Sequence, residues 1–153
     1  MIAVIRVRGT SNVTRKLRVT LEMLRLFKSN HLVLVGEASG GRKMVEKVKD
    51  YVTFGEIDGK TLAALLERRG ELGGNRGITE EFLREKKVSG FAELAELVLS
   101  GRGKLKELGI SPVFRLHPPR KGHARAGIKK SFKVGGALGN RGAQINGLIM
   151  RMC

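Results

Sequence analysis

The sequence predicts an α+β fold: a ferredoxin-like β-α-β-α-β core with a small antiparallel sheet, helices on one face, and a helical and basic C-terminal extension. Three observations predict it. Over the first third of the chain the apolar period switches between that of a strand and that of a helix, in the order strand, helix, strand, helix, strand. A late apolar run, PVFRLH at 112–117, adds a strand. Hydrophobic residues make up 41% of the 153 positions but aromatics only 5%, which suits one domain with an aliphatic core. Residues 1–57 are expected to form the core unit. Residues 58–153 would supply a helical segment, the late strand and a basic extension packed on it, within a single domain overall.

MIAVIRVR at 1–8 is a β-branched run ending at Gly9. A period of two puts Arg6 and Arg8 on one face of that strand, away from Ile5 and Val7. Residues 12–28 read as an amphipathic helix, capped by Asn12 or Ser11, with Val13, Leu17, Leu21, Leu24 and Phe27 as its buried stripe. HLVLVG at 31–36 is a short strand. The turn ASGGRK leads into a helix over about 41–51, with Met44, Val45, Val48 and Tyr51 inward and Arg42, Lys43, Lys47 and Lys49 outward. VTFGEI at 52–57 reads as the next strand, weakened by Gly55. Beyond a turn at Asp58 and Gly59, helices fit 60–69, a segment capped by Thr79, 90–100 and 103–108, with GELGGNRG at 70–77 as a loop. Pro118 and Pro119 stop the late strand. Residues 120–142 are Gly-rich and basic, and read as an extension that orders on a partner. Ile145, Leu148 and Ile149 mark a short final helix.

Charge is the strongest functional signal. Lys and Arg total 30 against 14 Asp and Glu, a net of +16. Residues 1–50 carry 11 basic and 4 acidic side chains (+7), 51–100 carry 7 and 9 (−2), and 101–153 carry 12 and 1 (+11). Two cationic ends flank a nearly neutral middle. If the ends meet, they form one face suited to a polyanion. The stretch 115–133 holds Arg115, Arg120, Lys121, Arg125, Lys129, Lys130 and Lys133 without an acidic residue. Arginine offers a planar fork of donors matched to phosphate, and lysine a mobile point charge. His117 and His123 lie in the same stretch, and Arg141 sits in the second of two GNRG turns, at 74–77 and 139–142. A further patch would combine Arg6 and Arg8 with Arg42 and Lys43 after the glycine turn. These side chains are the candidate RNA contacts.

Other chemistries fit poorly. Gly36–Lys43 departs from a nucleotide-binding P-loop, because Gly41 is followed by Arg42, Lys43 and Met44. His31, His117 and His123 have no acidic or Cys companion at ligand spacing, so no metal or cofactor is expected. No acid–base or nucleophile cluster can be assembled, which points away from an enzyme with a small-molecule substrate. No apolar run is long enough to span a membrane. MIAVIRVRGT lacks the features of a signal peptide, and a lone Cys153 excludes an internal disulfide. The strands offer few aromatics besides Phe54 and Phe114, unlike modules that stack bases on a sheet.

IAVIRVRG at the start, TLEML at 20–24, NHLVLV at 30–35, GRKMVEKVKDYVTFGEI at 41–57 and GISPVFRLHPPRKGH at 109–123 together resemble ribosomal protein L-thirty of the large subunit. The likeness is to its long archaeal form, whose eukaryotic relative is ribosomal protein L-seven. The resemblance implies a ferredoxin-like core with a C-terminal extension absent from short bacterial members. It also implies a cytoplasmic, ribosome-bound, non-enzymatic component that docks on large-subunit ribosomal RNA beside neighbouring ribosomal proteins. A structured-RNA-binding or chaperone module outside the ribosome is the alternative.

Overall fold

A computed structural model describes residues 1–11, 13–36, 40–74, 76–86 and 88–153. Asn12 as a helix cap, residues 37–39 of the glycine turn and its P-loop-like stretch, and Asn75 of the first GNRG lie outside the described residues.

Five strands form the main sheet in the order β6-β2-β1-β3-β7: β1 Ile2–Arg6, β2 His31–Val35, β3 Val52–Glu56, β6 Val113–Arg115 and β7 Gly139–Asn140. The β1 strand is central and antiparallel to both neighbours, with Ile5 opposite Leu32 and Thr53. The late strand β6 joins β2 antiparallel, and β7 joins β3 parallel. A two-stranded hairpin, β4 Glu71–Leu72 and β5 Arg76–Gly77, occupies what reads as a loop.

The helices of the core unit, α1 Arg15–Met23 and α2 Gly41–Lys47, share one face of the sheet, as expected. There Leu21, Leu24, Leu26, Val45 and Val48 pack on Ile2, Val4, Val33 and Val52. The helices that follow cover the opposite face: α3 Gly59–Arg69, α4 Glu80–Glu85, α5 Phe91–Leu99 and α6 Ile145–Met152. Leu62, Leu65, Leu94, Val98, Ile145 and Leu148 enclose Ala3, Ile5, Leu32 and Phe114 there. All five residues of β1 are buried for that reason.

Three expected helices stop early, each for a local reason. Helix α2 ends at Lys47 rather than near 51, where Val48 N and Tyr51 N donate to the Val45 and Val48 carbonyls in tighter turns. Arg25 takes a left-handed φ of 59° after α1, and Leu26 and Arg25 donate back to Leu21 and Glu22 carbonyls, each at 2.8 Å. This is the Schellman termination, with an apolar contact between Leu26 and Leu21. Phe27 therefore leaves the predicted stripe and is 52% exposed. Likewise the helix expected at 103–108 reduces to one turn, Leu108 N to Lys104 O, closed by Gly109 at φ 81°. At α4 the cap is as read, with Thr79 Oγ1 accepting from Phe82 N.

Candidate nucleic-acid interface

At one end of the sheet β1 finishes while β2 and β3 begin, and there the two cationic ends of the chain meet. Val7 follows β1, and its main-chain N–H, like that of Arg8, donates to Tyr51 O. Val7 is packed against Ala137, Leu138 and Ala124 in a small apolar cluster. That cluster fastens the basic extension to the end of β1. The extension starts at β6, whose Arg115 lies opposite His31, and runs across the sheet end to β7 beside Thr53. On the way, His117 N and Arg120 N donate to Met152 and Arg151 carbonyls, so the turn around Pro119 docks on the last turn of α6. Lys121 and Gly122 adopt left-handed φ values of 67° and 73° in that turn. Residues 130–138 fold back on themselves: Ala137 N and Leu138 N both donate to Lys130 O, and Phe132 N to Leu138 O. Gly136 permits this, since a Cβ there would sit 2.1 Å from Lys130 O.

Two of the arginines named as candidates are internal braces. Arg6 is 4% exposed rather than solvent-facing with Arg8. Alternation separates the two faces of a strand, but here both faces are covered. Its guanidinium donates to four main-chain carbonyls: Leu26 at 2.6 Å, Phe27 at 3.1 Å, Arg8 at 2.9 Å and Gly9 at 2.9 Å. It thereby ties the chain leaving β1 to the chain entering β2. Arg141 is 8% exposed. It donates to Thr53 Oγ1 at 2.9 Å, Ala137 O at 3.2 Å and His123 O at 3.4 Å, and stacks 4.6 Å from the Phe132 ring. Burial pulls both guanidinium pKa values below their ordinary one, helped by Arg18 for Arg6 and Arg151 for Arg141. Each holds the basic loop or its neighbours in place, and neither presents its charge outward.

The other loop cations face outward. Arg120, Lys121, Arg125, Lys129, Lys130 and Lys133 are exposed, and among the described residues none has a carboxylate partner. Arg115 differs: its Nε and Nη2 both donate to Glu71 Oε2 across the β6–β4 junction, and that bond raises its pKa. Exposed apolar side chains Ile128 and Val134 stand among the lysines.

Arg8, Lys49, Lys129 and Lys133 rim a groove of 680 Å³. Its walls and floor include Tyr51, Phe54, Phe132, Leu17 and Leu138, with Asp50 as its acidic residue. The Arg8 guanidinium lies 4.9 Å from the Tyr51 ring centroid, within cation–π range, and donates to Asp50 O. Residues from both cationic ends therefore share one concave surface.

Arg42 and Lys43 do not join it. They begin α2, where Gly41 and Met44 border Val33–Gly36, at the far end of the sheet from Arg8. Arg42 also pairs with Glu46 at 3.5 Å. His117 is exposed. His123 is half-buried with its Nδ1 unpartnered, and burial, Arg141 and Arg151 lower its pKa, so it adds no charge at neutral pH. His31 is lowered likewise, by burial, Lys28, Arg115 and Arg6. Among the described residues no cluster of three His, Cys, Asp or Glu could hold a metal ion, and no helix is long and apolar enough to cross a membrane.

Three acidic side chains gather on another surface. Asp58, Glu67 and Glu96 border a depression on α3 and α5, in the layer opposite α1 and α2. The molecule is polarised between that surface and the cationic sheet end.

The spacing of single residues did not point to Lys49, Tyr51, Phe54 or Phe132 as site residues, nor to Arg151, which donates to Gly122 O and supports the turn. Their grouping depends on β7 joining β3, a pairing of two residues that leaves no periodic signal.

The family model described as ribosomal protein L30p/L7e matches residues 2–52. Over 150 residues the chain is 50% identical to large ribosomal subunit protein uL30 of Methanococcus maripaludis, covering 98% of this chain and 97% of that protein. The protein of that name from Methanococcus vannielii is 51% identical over the same span, and that of Nanoarchaeum equitans is 47% identical over 149 residues, 97% of this chain and 96% of its own. The likeness thus runs through the core, both helical layers and the basic extension, and the chain belongs to the ribosomal protein L30p/L7e family.

Proposed function

We propose that the chain is a non-catalytic structural constituent of the large ribosomal subunit that binds large-subunit ribosomal RNA through the cationic end of its sheet. The observation that carries this reading is the convergence of Arg8 and Lys49 with Lys129 and Lys133 on one surface, away from the acidic side of α3 and α5. Its relatives are, by name, proteins of the large subunit. Outward cations without carboxylate partners are suited to phosphates, while Arg6 and Arg141 act as positioning residues beneath them. Arg42 and Lys43 would form a separate, weaker contact. Residues 1–57 and 58–153 both contribute to the RNA face, and neighbouring ribosomal proteins complete the cytoplasmic, ribosome-bound setting.

Binding to a large-subunit ribosomal RNA fragment should weaken steeply with salt, by roughly 0.7 to 0.9 in log–log slope per neutralised phosphate. Replacing Arg120, Lys121 and Arg125 together with Ala should flatten that slope and leave thermal unfolding unchanged. The chain should also sediment with large subunits from a lysate. Salt-independent binding would overturn the phosphate reading, and sedimentation apart from large subunits would favour an RNA-binding role outside the ribosome.

A further inference from the structure

We propose that the groove between Tyr51 and Phe132 receives an unpaired nucleotide of the bound RNA, a base extruded from its helix. This rests on the RNA-binding reading above and goes further, because phosphate neutralisation alone does not require an apolar floor. Cations at the rim and aromatic surface at the bottom are the two halves of a nucleotide: Arg8 and Lys49 on one bank and Lys129 and Lys133 on the other face the backbone, while Phe54, Leu17 and Leu138 offer flat or aliphatic surface to a base. The volume of 680 Å³ falls in the range of about 300–1,000 Å³ typical of pockets for small ligands. A paired stretch of RNA would lay phosphates over that floor and leave it unfilled. An unstacked base fills it, because every base has a face that stacks on an aromatic side chain.

The groove is also a built feature. Gly139 and Asn140 line it through their pairing with Thr53 and Phe54, and Arg141 holds that junction from behind through Thr53 and Phe132. Asn140 Oδ1 accepts from Gly142 N at 2.8 Å, which fixes the side chain on the groove wall with its amide donors available to a base edge. The groove therefore has a stacking surface, a hydrogen-bonding group and paired cationic banks in one place.

The test compares two RNA hairpins at low salt, one fully paired and one carrying a single unpaired 4-thiouridine, against the intact chain and Phe54→Leu. Leucine keeps an apolar side chain at that position of β3 and removes the ring, and Phe54→Tyr restores one. The intact chain should bind the bulged hairpin about tenfold more tightly than the paired one, as loss or gain of a stacked base implies. The Leu variant should bind the two hairpins alike, and Tyr should restore the preference. Photo-crosslinks from the thiouridine should map to the peptides containing 49–54 or 129–140. Equal binding of both hairpins by the intact chain, or crosslinks confined to other peptides, would overturn the nucleotide site and leave RNA binding standing. Adenosine monophosphate competing as well as the bulged hairpin would overturn it in favour of a free-nucleotide site. Failure to bind either hairpin at low salt would instead overturn the RNA-binding reading beneath it.

Discussion

Arg6→Ala should destabilise the fold by about 3 kcal/mol while lowering RNA affinity far less than Arg8→Ala does. Arg6 is 4% exposed and donates to four carbonyls. The alanine variant strands one deeply buried acceptor, Leu26 O, whose residue is fully buried, at a cost of roughly 1–3 kcal/mol. The carbonyls of Phe27, Arg8 and Gly9 lie nearer the surface and regain water, so each lost bond costs about 0.5–1.5 kcal/mol. Relief from burying a cation offsets part of the sum, which leaves about 3 kcal/mol. For a chain of this length each kcal/mol corresponds to roughly 2–4 °C, so calorimetry should show a fall of about 6–12 °C. Arg6→Lys should recover little, since an ammonium cannot reproduce the planar fork. A melting temperature within about 2 °C of the parent, or an Arg6→Ala affinity loss as large as that of Arg8→Ala with the fold intact, would refute the assignment of Arg6 as an internal brace.

Three further outcomes follow from particular residues. Arg25→Gly should stabilise the chain by about 1 kcal/mol, because glycine adopts the left-handed φ of 59° that ends α1 without steric cost; urea denaturation measures it. Gly55→Ala should destabilise by about 1–3 kcal/mol or more, since a Cβ there would meet Gly142 O at 2.1 Å and Ile145 Cβ at 3.0 Å and push the α6 segment off β3; a variant as stable as the parent would contradict that close approach. Stability should also fall as pH drops through about 6.5. Burial, first of the causes, holds His31 and His123 below their ordinary pKa, so the folded state keeps them neutral while the unfolded chain takes up protons. Replacing both with Asn should flatten the urea midpoint between about pH 7.5 and 5.5, and an unchanged slope would remove the histidines from the linkage.

The alternating core was legible because β1, α1, β2, α2 and β3 each carry their own period, and the α4 cap and the C-terminal helix have local signals of the same kind. Phe27 was misread because a stripe of apolar residues extends past the point at which Arg25 turns the chain left-handed. Arg6 was misread for a different reason: it lies on the face of Ile2 and Val4, and a period of two cannot tell that the chain leaving α1, at Leu26 and Phe27, will close over that end of it. The layer of α3, α5 and α6 on the second face depends on contacts between distant segments. The groove was the least accessible feature. Thr53 and Gly139, whose pairing creates it, are 86 positions apart, and the β7 strand is two residues long. What the sequence did carry about the site was its charge, since the +7 and +11 ends are the segments that meet at the end of the sheet.

Lysine labelling of the chain, free and bound to naked large-subunit ribosomal RNA, tests the cationic sheet end most directly. Lys49, Lys121, Lys129, Lys130 and Lys133 should become protected from acetylation in the complex, while Lys60, beside Asp58 and Glu67, and Lys104, paired with Glu107, should react as they do in the free chain. Protection spread evenly over all lysines, or concentrated on Lys60 and Lys104, would contradict it.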